Sequence, residues 1–384
     1  MTPAVTKVRR QAKSAAPRLR AAEFFAGIGL VRLALENAGC EVVFANDIDP
    51  DKAEMYRRAW PDNDHLHVGD IHQLDAHSLP RCDLFTASFP CNDLSVAGKQ
   101  HGLNGKESSA FWGVIRLLTE LGSNRPRLVL LENVVGFLSS DQGRDFEQAL
   151  TALHDLGYCV DAFILNALHW TPQSRQRLFV VATEDDGEPR KTMAMTTDAR
   201  PDALARFINT HPELRWNLRK LPPRPPQSQR LESVVEDLPD DDEHWWNEER
   251  TAYFMNQLSE RHAAVAAEMM ANPLPSYATA FRRVRNGRSM AELRTDGVAG
   301  CLRTPRGGSG RQILFKAGGG RRQVRLLTAR ECARLQGVPD SYPIDVPLSQ
   351  ALFGFGDAVC VPAVQWIAEQ YLLPVYTNSA SGRA

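Results

Sequence analysis

The sequence has no C-x-x-C pair. Its seven cysteines, Cys40, Cys82, Cys91, Cys159, Cys301, Cys332 and Cys360, are scattered, which argues against a thiol-ligated zinc site or a dithiol redox pair and fits a reducing cytoplasm. No metal site is expected. It also lacks any apolar run near the roughly 20 residues that a membrane span needs, so no membrane association is expected. Lys7, Arg9, Arg10, Lys13, Arg18 and Arg20 precede the first acid, Glu23, but no apolar segment follows them, so they read as a basic tail and not as a secretory signal. Net charge is scarce as well. At −1 the chain has no global attraction to a polyanion, and any nucleic-acid surface must come from charge segregation along the sequence. Internal repeats are absent.

That segregation is present. The stretch from Glu232 to Glu249 is strongly acidic, whereas Arg282 to Arg330 holds thirteen Lys and Arg against two acids, Glu292 and Asp296. At 384 residues the chain exceeds one typical domain. From Ala21 to Thr183 short apolar runs alternate with amphipathic stretches, the pattern of a parallel sheet flanked by helices. Strands are expected at Ala22–Phe25, Val42–Asn46, Leu84–Ser88, Leu128–Glu132, Cys159–Leu165 and Leu178–Ala182, and helices at Leu30–Ala38, Ala110–Leu121 and Gly143–Leu156. The Pro-rich stretch Glu184–Gln229 reads as a linker, and the Gly- and Arg-rich stretch to about Gln323 as irregular loops suited to close approach to a partner. Helical periodicity returns over Thr328–Leu335 and Val361–Tyr371. The expected organisation is therefore a disordered basic tail (1–19), a first domain (20–190), a linker with a second domain (191–344), a return to the first (345–376) and a tail (377–384).

Several segments carry candidate chemistry. Phe25-Ala-Gly27-Ile-Gly29 follows a strand and opens a helix, with glycines that let backbone pass close to a ligand at the helix N-terminus. Asp47 lies 18 residues past Gly29, a distance that suits a ribose hydroxyl pair, and Asp70-Ile71 follows another short segment. The loop lacks the third glycine of the dinucleotide fingerprint and any phosphate-binding cation, which favours a nucleoside ligand without pyrophosphate. Pro90-Cys91 comes straight after a strand, in a polar loop at the carboxyl end of the sheet, where α/β folds place chemistry. A lone cysteine is more often a small core residue, and a thiol nucleophile needs a partner. Glu132, ending an apolar strand at the same edge, is the candidate, able to donate to a ring nitrogen if burial protonates it. Gln173-Ser-Arg175-Gln-Arg177 places two cations on one face of a strand.

In this order the segments resemble the cytosine-C5 DNA methyltransferase family across nearly the whole chain. The cofactor loop (Phe25, Gly27, Gly29), the nucleophile loop (Pro90, Cys91), Glu132-Asn133-Val134 and the arginine motif (Arg175, Arg177) are joined by Arg325–Gly337 followed by Pro339, and by Gly356-Asp357-Ala-Val359 followed by Pro362. The resemblance implies an α/β, Rossmann-like S-adenosylmethionine-dependent methyltransferase domain with a smaller, irregular target-recognition domain. It implies that Cys91 adds to cytosine C6, Glu132 assists at N3, and Arg175 and Arg177 orient the base. Phe25 would stack on adenine of S-adenosyl-L-methionine, Asp47 take the ribose hydroxyls, and Asp70 with Ile71 hold the adenine edge, with Gly27, Gly29, Pro90 and Asp357 completing the cofactor pocket. Ser95, Arg303, Arg306 and Arg311 are candidate DNA contacts. The chain departs from the pattern at Asn92, where Gln is common, at Asp47, where Glu is commoner, and at Asp357, which usually is Asn.

The implied partner is double-stranded DNA, with the base flipped from the stack for reaction. The enzyme would act as a monomer in the cytoplasm, beside a cognate restriction or other defence system. Alternatives are an RNA (transfer-RNA) methyltransferase of the same fold, a catalytically weak DNA-binding regulatory subunit, and a nicotinamide oxidoreductase, which would explain the glycine loop alone.

Overall fold

The computed structural model describes residues 18–62, 64–90, 110–185, 187, 191–285, 287–304 and 310–381. Cys91, Asn92, Ser95 and Arg306 lie outside them. A seven-stranded sheet is built from β1 (Arg20–Phe24), β2 (Glu41–Asp47), β3 (Leu66–Val68), β4 (Leu84–Ala87), β5 (Leu128–Val134), β6 (Tyr158–Asn166) and β7 (Gln176–Glu184), in the order β3-β2-β1-β4-β5-β7-β6. The central strands read as apolar runs because both faces of the sheet are covered, and every residue of β4 is buried. One expectation is corrected here. The sheet is parallel from β3 to β5, but β7 runs antiparallel to both β5 and β6. The connection 167–175 holds only a 3₁₀ turn, and a parallel crossover needs a dozen or more residues.

Helices fill both faces. One side carries α3 (Ala110–Leu121), α4 (Arg144–Asp155) and α5 (Asp202–Thr210), which pack Phe111, Leu117, Phe146, Leu150 and Leu204 against Phe85 and Val129. The other carries α1 (Leu30–Asn37) with the C-terminal helices α8 (Ala329–Leu335), α9 (Leu348–Asp357), α10 (Val361–Ile367) and α11 (Leu373–Ser381). The helical stretch Leu348–Asn378 is long and apolar enough, by length and composition, to cross a membrane, contrary to the reading of the sequence; 72% of its most apolar part is buried in the fold, so its apolarity is accounted for by core packing. Local signals start these helices. In α2 (Pro50–Ala59) Asp49 accepts from the amides of Asp51 and Lys52, with Pro50 at the first position, and Thr328 and Glu331 form a capping box on α8.

The Pro-rich stretch does more than link. Ile164 donates to Ala199, and Val160 pairs with Trp216 through hydrogen bonds to Arg215 and Asn217, so this segment runs along β6 and covers the edge of the sheet. Asp161, fully buried in β6, pins it by accepting from Arg200 Nη2 at 2.7 Å and the Arg219 amide at 3.0 Å. The Gly- and Arg-rich stretch is likewise more regular than expected. β8 (Ser276–Arg285), β9 (Arg288–Arg294), β10 (Ile313–Gly318) and β11 (Arg321–Leu326) form an antiparallel sheet, order β11-β10-β8-β9, backed by α6 (Glu248–Met255) and α7 (Glu260–Ala271). Its core is separate, made of Phe254, Ala266, Ala278, Ala280, Ala291, Phe315 and Val324. Alanines supply much of it, so no strongly apolar strand pattern announces it.

Candidate active site at the sheet edge

The carboxyl ends of β1, β2, β4 and β5 open on one edge of the sheet, the edge where α/β folds hold ligands. Phe25 leaves β1 with φ 57°, a left-handed conformation costing a bulky residue about 1–3 kcal/mol, and Gly27 and Gly29 follow at 56° and 80°. The loop is stitched to β2. Ala26 donates to Asn46 O at 2.9 Å, and Gly27 N to Asp47 Oδ2 at 2.6 Å. Gly29 is required by packing as well as by angle, because a Cβ there would stand 2.3 Å from the Trp60 ring.

Asp47 is buried, and its second oxygen accepts from Asp49 N at 2.8 Å. Burial raises its carboxyl, against the pull of the Asp49 amide, Lys52 and the Gly27 amide. Next to it, Ile48 is 65% exposed, an uncovered aliphatic face beside the strand end. Asp70 caps a 3₁₀ turn through His72 N at 2.9 Å, and Ile71 is buried under α3. Asp357, at the end of α9, pairs with Lys52 Nζ at 2.7 Å. Burial works to lower the Lys52 amine, but Asp357, Asp47 and Asp49 together raise it. The acid at 357 therefore has a cation partner, which no local sequence signal could show because the two residues are 305 apart.

On the neighbouring strands, Asn133 Nδ2 donates to Phe89 O at 3.1 Å, tying the end of β5 to the chain that leads through half-buried Pro90 towards Cys91. Glu132 is 9% exposed and holds Arg177 Nε at 3.0 Å. Arg175 and Arg177 differ. Arg175 is 2% exposed and its guanidinium is taken by Leu302 O, Gly356 O and Ala358 O, so it ties β7 to the segment after β9 and to the end of α9. Buried Gln173 adds to this tie, accepting from Leu302 N at 3.0 Å and donating to Leu335 O at 2.8 Å. Of the described DNA-contact candidates, Arg303 is exposed, while Arg311 is half-buried with Nε unpartnered and lines a small cavity with Leu302, Cys332 and Phe355.

Comparison with known proteins matches residues 19–372 to the model of the C-5 cytosine-specific DNA methylases. The chain belongs to that family. This methyltransferase is thus an enzyme acting at C5 of cytosine in DNA. It is 29% identical over 356 residues to the Type II methyltransferase M.HhaI of Haemophilus parahaemolyticus, covering 91% of this chain and 93% of that one. It is 27% identical over 370 residues to the Type II methyltransferase M.HpaII of Haemophilus parainfluenzae, covering 91% and 88%. The fold is similar to that of S. pombe Dnmt2, with TM-score 0.63, 21% identity, and 94% and 99% of the two chains covered. The sequence does not single out Ile48, Lys52 or Cys301, and it shows Asn133 only as part of the Glu132-Asn133-Val134 motif. An exposed aliphatic after the acid that ends β2 was the available signal for Ile48; Lys52 and Cys301 acquire partners only through long-range packing.

Proposed function

We propose that the chain transfers a methyl group from S-adenosyl-L-methionine to C5 of a flipped-out cytosine in a specific duplex DNA sequence, through a covalent bond between Cys91 and C6. The observation that carries this reading is the Glu132–Arg177 pair at 3.0 Å, on a strand end that Asn133 ties to the chain delivering Cys91. The residues at the ends of β1 and β2 fit the cofactor. Phe25 and Ile48 offer apolar faces to adenine, Asp47 an acceptor to the ribose, and the Lys52–Asp357 pair two charges complementary to an amino-acid group. Gly27, Gly29, Asp70, Ile71 and Pro90 shape the surrounding walls. When bound, S-adenosyl-L-methionine supplies an electrophilic methyl group on a sulfonium.

Cytosine C5 is a weak nucleophile, and the role of the chain is to strengthen it. The Cys91 thiolate adds to C6, which turns the ring into an enamine with electron density at C5. Glu132 donates a proton to N3, neutralising the negative charge that the addition puts there. Arg177 faces the base from beside Glu132, while Arg175 holds the arginine strand to the rest of the site. After methylation a base takes the C5 proton, the C5–C6 double bond re-forms, and the C6–S bond breaks to release Cys91 as thiolate. The basic second sheet, with Ser95, Arg303, Arg306 and Arg311, contacts the duplex and offsets the few kcal/mol of unstacking. The Type II methyltransferase names of the curated relatives support a restriction-modification role; a monomer acting in the cytoplasm, in such a system or another defence system, completes the proposal.

Expression in a methylation-free host followed by bisulfite sequencing tests the proposal. Protected cytosines in one sequence context are expected, together with tritium transfer from labelled cofactor to duplex DNA and a loss of roughly 10⁴-fold or more in Cys91→Ser. Full activity in Cys91→Ser, or transfer to RNA but not to DNA, would overturn it.

A further inference from the structure

Cys301 has no part in the mechanism above, yet its sulfur stands within the arginine layer of the site. Arg175 Nη1 donates to Sγ at 3.3 Å, and Arg177 Nη1 reaches the same atom at 4.0 Å. Arg177 in turn holds Glu132. A continuous line of contacts thus joins Arg175, Cys301, Arg177 and Glu132. Two guanidinium groups brought to one sulfur from either side of the start of β7 repel each other, and an acceptor between them relieves that repulsion. The charges acting on this sulfur are Arg175, one residue before β7, Arg177 of β7 and Arg303 from its own segment, with Glu132 of β5 paired to Arg177. Burial works to raise the Cys301 thiol, but the three arginines outweigh it and hold the thiol below its ordinary value. Cys40, Cys82, Cys332 and Cys360 are all pushed the other way by burial, to between about 11 and about 12.

We propose that Cys301 is a positioning residue for methyl transfer: its sulfur receives Arg175 and Arg177 together and so sets where Arg177 stands against Glu132. The inference rests on the assignment of Glu132 and Arg177 to the base pocket. A protonated Cys301 has an alternative, because its S–H can donate to Leu302 O at 3.3 Å, an oxygen that also takes Arg175 Nη1 at 2.9 Å. Loss of that proton to solvent leaves a sulfur that only accepts. The arrangement that presents Arg177 to the base is therefore favoured as the thiol ionises.

The test uses the full chain and single-turnover transfer of tritiated methyl to duplex DNA between about pH 6 and pH 9, in Cys301→Ala and Cys301→Ser. Cys301→Ala should slow the step about tenfold or more while DNA affinity stays within about threefold. Cys301→Ser should recover part of the rate but lose the portion of the pH dependence that belongs to the thiol. In a Cys91→Ser background, iodoacetamide should label Cys301 faster than Cys82 at neutral pH, and Arg177→Ala should slow that labelling. If Cys301→Ala does not fold, the Ser variant and the labelling decide. Wild-type rates and pH profiles in the folded variants, or labelling of Cys301 no faster than Cys82 and indifferent to Arg177→Ala, would overturn the proposal. Loss of transfer in Cys91→Ser alone keeps the two readings apart, since the functional one then stands whatever Cys301 does.

Discussion

Strand β5, which carries Glu132, and strand β8, whose arginines open the basic stretch Arg282 to Arg330, are built under opposite constraints. β5 reads Leu-Val-Leu-Leu-Glu-Asn-Val and is buried through Asn133 between β4 and β7. β8 reads Ser-Tyr-Ala-Thr-Ala-Phe-Arg-Arg-Val-Arg and runs out into solvent, where Arg283 is exposed and Val284 is 74% exposed. A side chain that must meet a ring atom within tenths of an ångström belongs on a strand buried on both faces of its sheet. A surface that follows a DNA groove must instead leave its side chains uncovered. The first demand produces apolar runs around one acid; the second produces short alternating segments with alanine and arginine, hard to tell from loop.

The largest test of this contrast is Glu132→Gln, expected to slow methyl transfer roughly 10²–10⁴-fold with DNA affinity little changed. A comparable loss of DNA affinity would mean that the two regions do not divide chemistry from recognition. Phe315→Ala, in the separate core of the second sheet, should cost about 3–5 kcal/mol in denaturant titration. It should weaken DNA binding more than cofactor binding, and equal weakening of both would argue for one shared core.

Glu23 sharpens the comparison from inside the first sheet. Its carboxyl is buried, and burial pushes it up to about 8 against the charge and the backbone amide of Arg32. Between its ordinary 4.5 and about 8 the folded chain keeps a proton that the unfolded chain releases, so its contribution to stability is lost as pH rises through that window. Glu23→Gln should therefore gain on the order of a few kcal/mol at about pH 8 and little at about pH 5. Equal effects at both pH values would show the carboxylate to be ionised in the fold. The smallest effect is expected from Asp357→Asn. Its pair with Lys52 is nearly half exposed on the acid side, so stability should move by less than about 1 kcal/mol. Calorimetry with S-adenosyl-L-methionine would show whether cofactor affinity shifts, and no shift would remove Asp357 from the pocket.

Much of the first sheet was legible because burial on both faces writes strands as apolar runs, and Ala110–Leu121 emerges with the expected bounds. Less legible was the reversed strand β7, whose direction follows from a connection too short to cross over. The antiparallel second sheet went unrecognised because alanine fills its core. Among the candidate residues, the acids and arginines were visible as types, but their division of labour was not. Arg175 and Arg177 are equivalent in sequence, and only packing gives one of them three backbone carbonyls and the other Glu132.

By itself, then, the sequence determined the reaction class and the strand ends that serve it, because nucleophile, acid and glycine loop are chemical requirements that only certain residue types at strand ends can meet. Tertiary structure decided which charges find partners. Lys52 with Asp357, and Cys301 with the two arginines, are pairs more than a hundred residues apart, brought together by a chain that leaves the first sheet, builds a second, and packs back on the first. Charge pairing depends on distance in space, and that distance exists only once both sheets have packed.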